Sequence, residues 1–197
     1  MRRTNVEPIR KAALVNAAIS EIADAGTLEV TVGQIARRAG MSPALAHHYF
    51  GSKEALFLAA MRHVLTVYGA EVRGALALAE GPRARLDAIV RASFSATNFR
   101  RDVVGAWLNF YVLAQTVPEA RRLLAVYQRR LRSNLVAALR PLVGAEAGHV
   151  ADRIGAMIDG VYLREALGQR APDRQTAVAQ VGAVIADALA ASGCRQG

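Results

Sequence analysis

Apolar positions recur with a helical period from one end of the chain to the other, and no stretch alternates in the two-residue rhythm of a strand. Leu14, Ala17, Ala18 and Ile22 share one face of a segment from about Pro8 to Ala25, where Gly26 supplies a left-handed stop. Thr31-Val-Gly-Gln34 has the form of a capping box, opening a short second helix with Val32, Ile35 and Ala36 turned inward. Ala39-Gly40-Met41 breaks that helix. Ser42 followed by Pro43 is an N-cap with proline at the first helical position, predicting a third helix of about seven residues that ends near Phe50-Gly51. Ser52 caps a fourth, with Glu54 in its first turn, that runs to about Ala79. Beyond Gly81-Pro82, longer amphipathic segments are predicted at roughly 83–97, 101–115, 118–142, 147–168 and 174–192. Asn98, Val117-Pro118, Gly144 and Ala171-Pro172-Asp173 separate them. The pattern predicts an all-α protein of about nine helices: a three-helix head over 1–53, then a helical body over 54–197 entered through a connecting helix.

Composition narrows the class. The 197 residues are 53% hydrophobic and 21% charged, which excludes a disordered chain. Aromatics are only 6%, while Ala, Leu and Arg abound, favouring helices over a β-sandwich. Cys194 is the single cysteine, so a disulfide framework and a cysteine-based zinc site are excluded, in keeping with a cytoplasmic protein. The start, MRRTNVEPIRKAAL, has no apolar core of signal-peptide type. The longest apolar stretch, Val103 to Ala114, is interrupted by Asn109 and too short to span a bilayer, so no membrane partner is expected. The net charge of +9 admits polyanionic partners, but its excess is spread over the whole chain and singles out no region. Neither a Gly-x-Ser-x-Gly elbow, nor a phosphate or dinucleotide glycine loop, nor a metal-ligand cluster occurs, which argues against an enzyme and against any cofactor. His47 and His48 do not make a metal pair, because adjacent helix positions point about 100° apart.

The head carries the strongest chemistry. Two short helices joined by a tight turn containing glycine form the helix-turn-helix pattern, whose second helix presents its N-terminal half to the major groove. Its outward candidates are Ser42, Pro43, Ala44, Leu45, His47 and His48. Ala44 and Leu45 suit thymine methyl groups, and the histidines can donate to bases or phosphates. Thr31, Tyr49 and Lys53 sit at helix ends, where hydroxyl, ammonium and free backbone N–H groups hold phosphates. Arg2, Arg3, Arg10 and Lys11 form a basic arm able to reach the backbone or the minor groove, or simply a solvated tail.

The continuous stretch from Thr31 through Ala39-Gly-Met-Ser-Pro43 and His47-His-Tyr-Phe-Gly-Ser-Lys53 to Phe57 resembles the DNA-binding head of the TetR family of repressors. That resemblance implies a homodimeric all-α regulator whose body binds an effector. It also implies DNA contacts at Thr31, Ser42, Pro43, Ala44, His47, His48, Tyr49 and Lys53. Many members carry Lys or Thr where Pro43 stands and Tyr where His47 stands, and Pro43 has no donor to offer.

In the body, Phe94, Phe99, Trp107, Phe110, Tyr111 and Tyr127 cluster in sequence, with Trp107 and Tyr111 at i and i+4 on one helix face. Asp159 interrupts the apolar run that contains Tyr162. A carboxylate beside aromatic faces can hold a quaternary ammonium ion. Aromatics at helical spacing also build ordinary cores, and Asp159 can equally pair with Arg153 or Arg164. Three segments, Ala106-Trp-Leu-Asn-Phe-Tyr111, Arg129 to Val136 and Ile158 to Gly168, resemble the BetI-type members of the family. This implies a choline-like effector held by Trp107, Phe110, Tyr111, Asp159 and Tyr162, and control of glycine betaine synthesis. Tyr111 and Tyr162 replace tryptophans of that group, and Asn109 a smaller residue, leaving a TetR-type repressor of another small metabolite or drug as the alternative. The arginines at 121, 122, 129, 130, 132 and 140 read as a solvated or ion-paired face, with an anionic-ligand or second DNA surface as the other possibility. Gly155 and Gly160, with Val178, Val181, Ile185 and Leu189, predict an apolar two-fold interface.

Overall fold

The computed structural model describes residues 6–193, with side chains to residue 191. The chain is all-helical there, with no strand among the described residues. The helices are α1 (Val6–Ala25), α2 (Val32–Arg38), α3 (Pro43–Phe50), α4 (Lys53–Leu78), α5 (Gly81–Ser93), α6 (Arg101–Thr116), α7 (Pro118–Val143), α8 (Ala147–Leu167) and α9 (Arg174–Gly193). A 3-10 turn over Gly144–Glu146 joins α7 to α8. Arg2, Arg3 and Cys194 lie outside the described residues.

Contacts group the chain into two compact units. One comprises Met1–Val64 with Arg101–Leu123, the other Leu65–Arg100 with Leu124–Gly197. In the first, α1 packs on α2 and α6, and α2 on α3. Two neighbours need two apolar stripes, which is why α1 buries Val15 and Ile19 besides the expected Leu14, Ala17, Ala18 and Ile22. The α1–α6 approach is close: a Cβ on Gly105 would lie 3.3 Å from Ala23 Cβ and 3.4 Å from its Cα. Arg121, expected on a solvated or ion-paired face, donates to the carbonyls of Ala114 (3.2 Å) and Gln115 (2.7 Å), closing the C-terminus of α6.

In the second unit α9 packs on α5 and α8. Helix α5 ends at Ser93, four residues before the predicted 97. The Ser93 hydroxyl donates to Ile89 O, and Asn98 Nδ2 donates to Ala92 O (3.1 Å), taking a carbonyl that further helix would have used. Glu71 then accepts from Ser95 (2.5 Å) and Asn98 (2.6 Å), fixing the turn. Val181 and Ile185, expected at a two-fold interface, are fully buried within the single chain. The exposed positions of α9 include Ala179, Ala183, Ala186 and Ala190 together with Gln180 and Asp187.

Among the described residues α4 is long and apolar enough, by length and composition, to cross a membrane, unlike the Val103–Ala114 stretch. Its Leu56, Phe57, Ala60, Met61 and Val64 are buried in the fold, as those of a core helix are.

Candidate functional site

Local chemistry sets the geometry of the head. The Thr31 hydroxyl accepts from Gln34 N (3.1 Å) while the Gln34 side chain accepts from Thr31 N (2.7 Å), the reciprocal capping box that starts α2. Gly40, at φ +67°, takes the left-handed turn, and Met41 N donates to Ala36 O (2.8 Å). Ser42 caps α3 by accepting from Leu45 N (3.3 Å), with Pro43 in the first turn. Helix α3 buries only Ala46. Ser42, Pro43, Ala44, His47 and His48 are exposed, whereas Leu45 and Tyr49 are half-buried. The result is a short helix held by one buried residue and showing a polar, partly methyl-bearing face, as a groove-reading helix requires.

Neighbouring charges are arranged around that face. Lys11 Nζ sits 5.8 Å from the centre of the Tyr49 ring and pairs with Glu7 at 2.7 Å. That partner holds the Glu7 carboxyl below its usual range, first through the hydrogen bond and then through charge. The His48 ring lies 5.4 Å from that of Tyr49. Lys53 Nζ lies 5.5 Å over Phe57, and Ser52 caps α4 by accepting from Ala55 N. Arg38, which the pattern did not single out, bridges Glu21 (2.7 Å) and Asp24 (2.5 Å), and those hydrogen bonds raise its pKa. The bridge ties α2 to α1.

The predicted effector residues fall in two groups. In the first unit, α6 places Trp107 against Tyr111 (ring centres 5.7 Å, 32°) and against Phe110 (6.2 Å, 86°). Trp107 and Phe110 are buried and Tyr111 half-buried. In the second unit, α8 carries Asp159 and, one turn on, Tyr162. The Tyr162 ring stacks on Phe94 (5.7 Å, 26°) and meets Phe99 edge-on (5.1 Å), while its hydroxyl donates to Ser93 O. Tyr162 therefore latches the end of α5. Tyr68 is a residue the sequence reading missed. Its ring meets Tyr127 edge-to-face (5.4 Å, 65°) and its hydroxyl lies 3.3 Å from Ser93 Oγ. Because Ser93 Oγ already donates to Ile89 O, Tyr68 is the donor. Burial pushes the Tyr68 hydroxyl up to about 12, the Ser93 hydrogen bond partly offsets this, and the negative charge of Asp159 adds to it. The contacts of Tyr68, to Ser93 25 residues on and to Tyr127, are both long-range and leave no periodic signal in the sequence.

The arginines of α7 are partly accounted for. Arg132 binds Asp152 at 2.7 Å, and Arg129, Arg132 and Arg140 line an open surface groove of about 640 Å³. Among the described residues no group of three or more His, Cys, Asp or Glu side chains could hold a metal ion.

Comparison with known proteins matches both ends of this picture. Residues 14–60 match the family described as bacterial regulatory proteins, tetR family, and residues 82–190 match the BetI-type transcriptional repressor, C-terminal family. The chain is 50% identical over 187 residues to the HTH-type transcriptional regulator BetI of Brucella anthropi, covering 94% of this chain and 96% of that one. It is likewise 50% identical to BetI of Rhizobium meliloti over 168 residues, 85% of this chain and 83% of the relative. A crystal structure of a Pseudomonas aeruginosa PAO1 transcriptional regulator superposes with a TM-score of 0.82 at 28% identity, covering 99% of this chain and 98% of that one. A Saccharomonospora viridis protein crystallised in complex with choline shares the fold, with a TM-score of 0.77 at 22% identity over 89% of this chain and 94% of its own.

Proposed function

Because the chain belongs to the TetR family and carries the BetI-type repressor C-terminal domain, we propose that it is a choline-responsive repressor of glycine betaine synthesis genes. The observation that carries the proposal is half-identity to BetI regulators running through the body as well as the head. A head alone would speak for DNA and leave the signal open. The choline-bound fold relative supports the same effector class. The family is one of regulators rather than of enzymes.

In this reading residues 1–53 bind DNA in the cytoplasm and residues 54–197 bind effector and dimerise. Ser42, Pro43, Ala44, Leu45, His47 and His48 meet base edges in the major groove; Thr31, Tyr49 and Lys53 hold phosphates. Two such heads in a homodimer read an inverted repeat. Trp107, Phe110, Tyr111, Asp159 and Tyr162 belong to the effector site, where π-faces and a carboxylate suit a cation that has no N–H to donate. Effector acts by favouring one spacing of the two heads over another. Calorimetry with choline on the full chain tests the effector: saturable binding, lost on Asp159→Ala in a protein that still melts cooperatively, is expected. Absence of binding by the unaltered protein would refute it.

A further inference from the structure

At the edge of the exposed face of α3 stands an ion pair that belongs to neither helix of the helix-turn-helix. Lys11, on α1, brings its Nζ to 5.8 Å from the centre of the Tyr49 ring, near the C-terminal end of α3. That ring also lies 5.4 Å from the ring of His48, so α1 sets an ammonium beside two residues of the reading helix. Glu7, one turn earlier on α1, takes the same ammonium at 2.7 Å. The four side chains stay open to solvent: Glu7 and His48 are exposed, Lys11 and Tyr49 half-buried.

A helix lying in the major groove has phosphates along its rim, and Tyr49 is assigned such a contact above. An ammonium seated over the Tyr49 ring stands within reach of the same backbone. The face of the ring attracts the cation and restrains its long stem, which leaves less side-chain freedom to lose on binding. Glu7 alters what this cation can do. An exposed pair at this spacing holds weakly, because water screens both charges. A DNA phosphate offers equal charge within a dense polyanion, and Lys11 releases a counterion when it moves there. Glu7 therefore competes with the phosphate for one ammonium.

Resting on the DNA-binding reading of the head, we propose that Lys11 is a further phosphate contact, seated by Tyr49 and held back by Glu7, so that Glu7 lowers affinity for DNA of every sequence. The pair is then a brake on the head as well as a support for α1.

Fluorescence anisotropy on the full chain tests this with two duplexes of equal length, one from upstream of the protein's own gene and one unrelated, across a series of salt concentrations. Lys11→Ala should weaken both by about tenfold at low salt and reduce the slope of log K against log salt by about 1. Lys11→Arg, which keeps the charge, should stay within about threefold of the unaltered protein. Glu7→Gln should tighten both duplexes by about threefold, and that gain should vanish when Lys11→Ala is added. Lys11→Gln repeats the test where Lys11→Ala fails to fold. An unchanged salt slope without Lys11 would overturn the contact, since loss of helix support lowers stability without removing a charge from a phosphate. A Glu7→Gln gain that persists without Lys11 would make Glu7 a direct repeller of phosphate and overturn the brake. Loss confined to the operator duplex would place Lys11 on a base and overturn the phosphate assignment. In each of these cases the DNA-binding reading stands; failure of the unaltered protein to bind either duplex would remove that reading and this inference together.

Discussion

Thr31 has two tasks, and a single substitution separates them. Its hydroxyl caps α2, and it is a proposed phosphate contact. Thr31→Ala should cost about 1 kcal/mol in chemical unfolding through the lost cap. Gln34→Ala removes the other half of the box, so it should lower stability similarly while weakening DNA binding less. Equal losses of DNA affinity in the two variants would make Thr31 a cap alone. Lys53→Ala should weaken binding to every DNA sequence alike and reduce the salt slope by about 1, as a phosphate contact does; degeneracy at one operator base would contradict that role. The head was legible residue by residue because its signals are local: Thr31 with Gln34, Gly40, and Ser42 with Pro43 lie within a few positions of one another. The effector residues were less so. Tyr162 was visible in its apolar run, but the acceptor of its hydroxyl lies 69 residues away, and no periodicity encodes that pairing. Tyr162→Phe should leave the Ser93 carbonyl short of a donor and lower stability by about 1–2 kcal/mol, read in a urea melt.

Among the elements, helices opened by side-chain caps were predicted to within a residue or two, and α5 was not. Its end is decided by Asn98 reaching back to Ala92 O and by Glu71 holding Asn98 from another helix. The start of α9 is a further cap: Asp173 accepts from Gln175 N and Thr176 N and from the Thr176 hydroxyl, which holds its carboxyl below its usual range. A carboxyl depressed in the folded state stabilises above its unfolded value and loses that contribution as pH falls through the folded one. The thermal-stability gap between the protein and its Asp173→Ala variant should therefore be constant near neutrality and close below about pH 4. A gap that persists at low pH would show that the neutral acid caps as well as the carboxylate. At the α1–α6 crossing, Gly105→Val forces backbone apart at Ala23 and should destabilise the protein by about 1–3 kcal/mol. Because α6 also carries Trp107, Phe110 and Tyr111, the same change should alter operator affinity in a fluorescence titration.

For the molecule as a whole, periodicity disclosed an all-α chain but not which helices keep company. A stripe of apolar residues says that a helix is covered, not by what, so the grouping of α6 with the head had no signature in the sequence. The same limit misassigned Val181 and Ile185 to a two-fold interface, when both are used inside one chain. What remains exposed on α8 and α9 mixes open and apolar positions: a Cβ at Gly155, Gly160 or Gly182 would meet nothing within 4 Å, Leu163 and Leu167 are exposed, and so is Ala183. Ala183→Arg should leave the helical circular dichroism intact while giving a monomer in sedimentation and losing operator binding. A dimer that persists would place the two-fold contact elsewhere.

The most direct test joins DNA, effector and body in one titration. Labelled DNA from upstream of the protein's own gene is titrated with the protein, without and with saturating choline, and followed by fluorescence anisotropy. The account predicts binding with two protomers per inverted repeat, and a midpoint moved by choline about 5- to 150-fold, the range of typical allosteric coupling. Its neutral isostere should leave the midpoint in place. Superimposed curves with and without choline would contradict the account, leaving a DNA-binding TetR-family protein whose signal is another molecule.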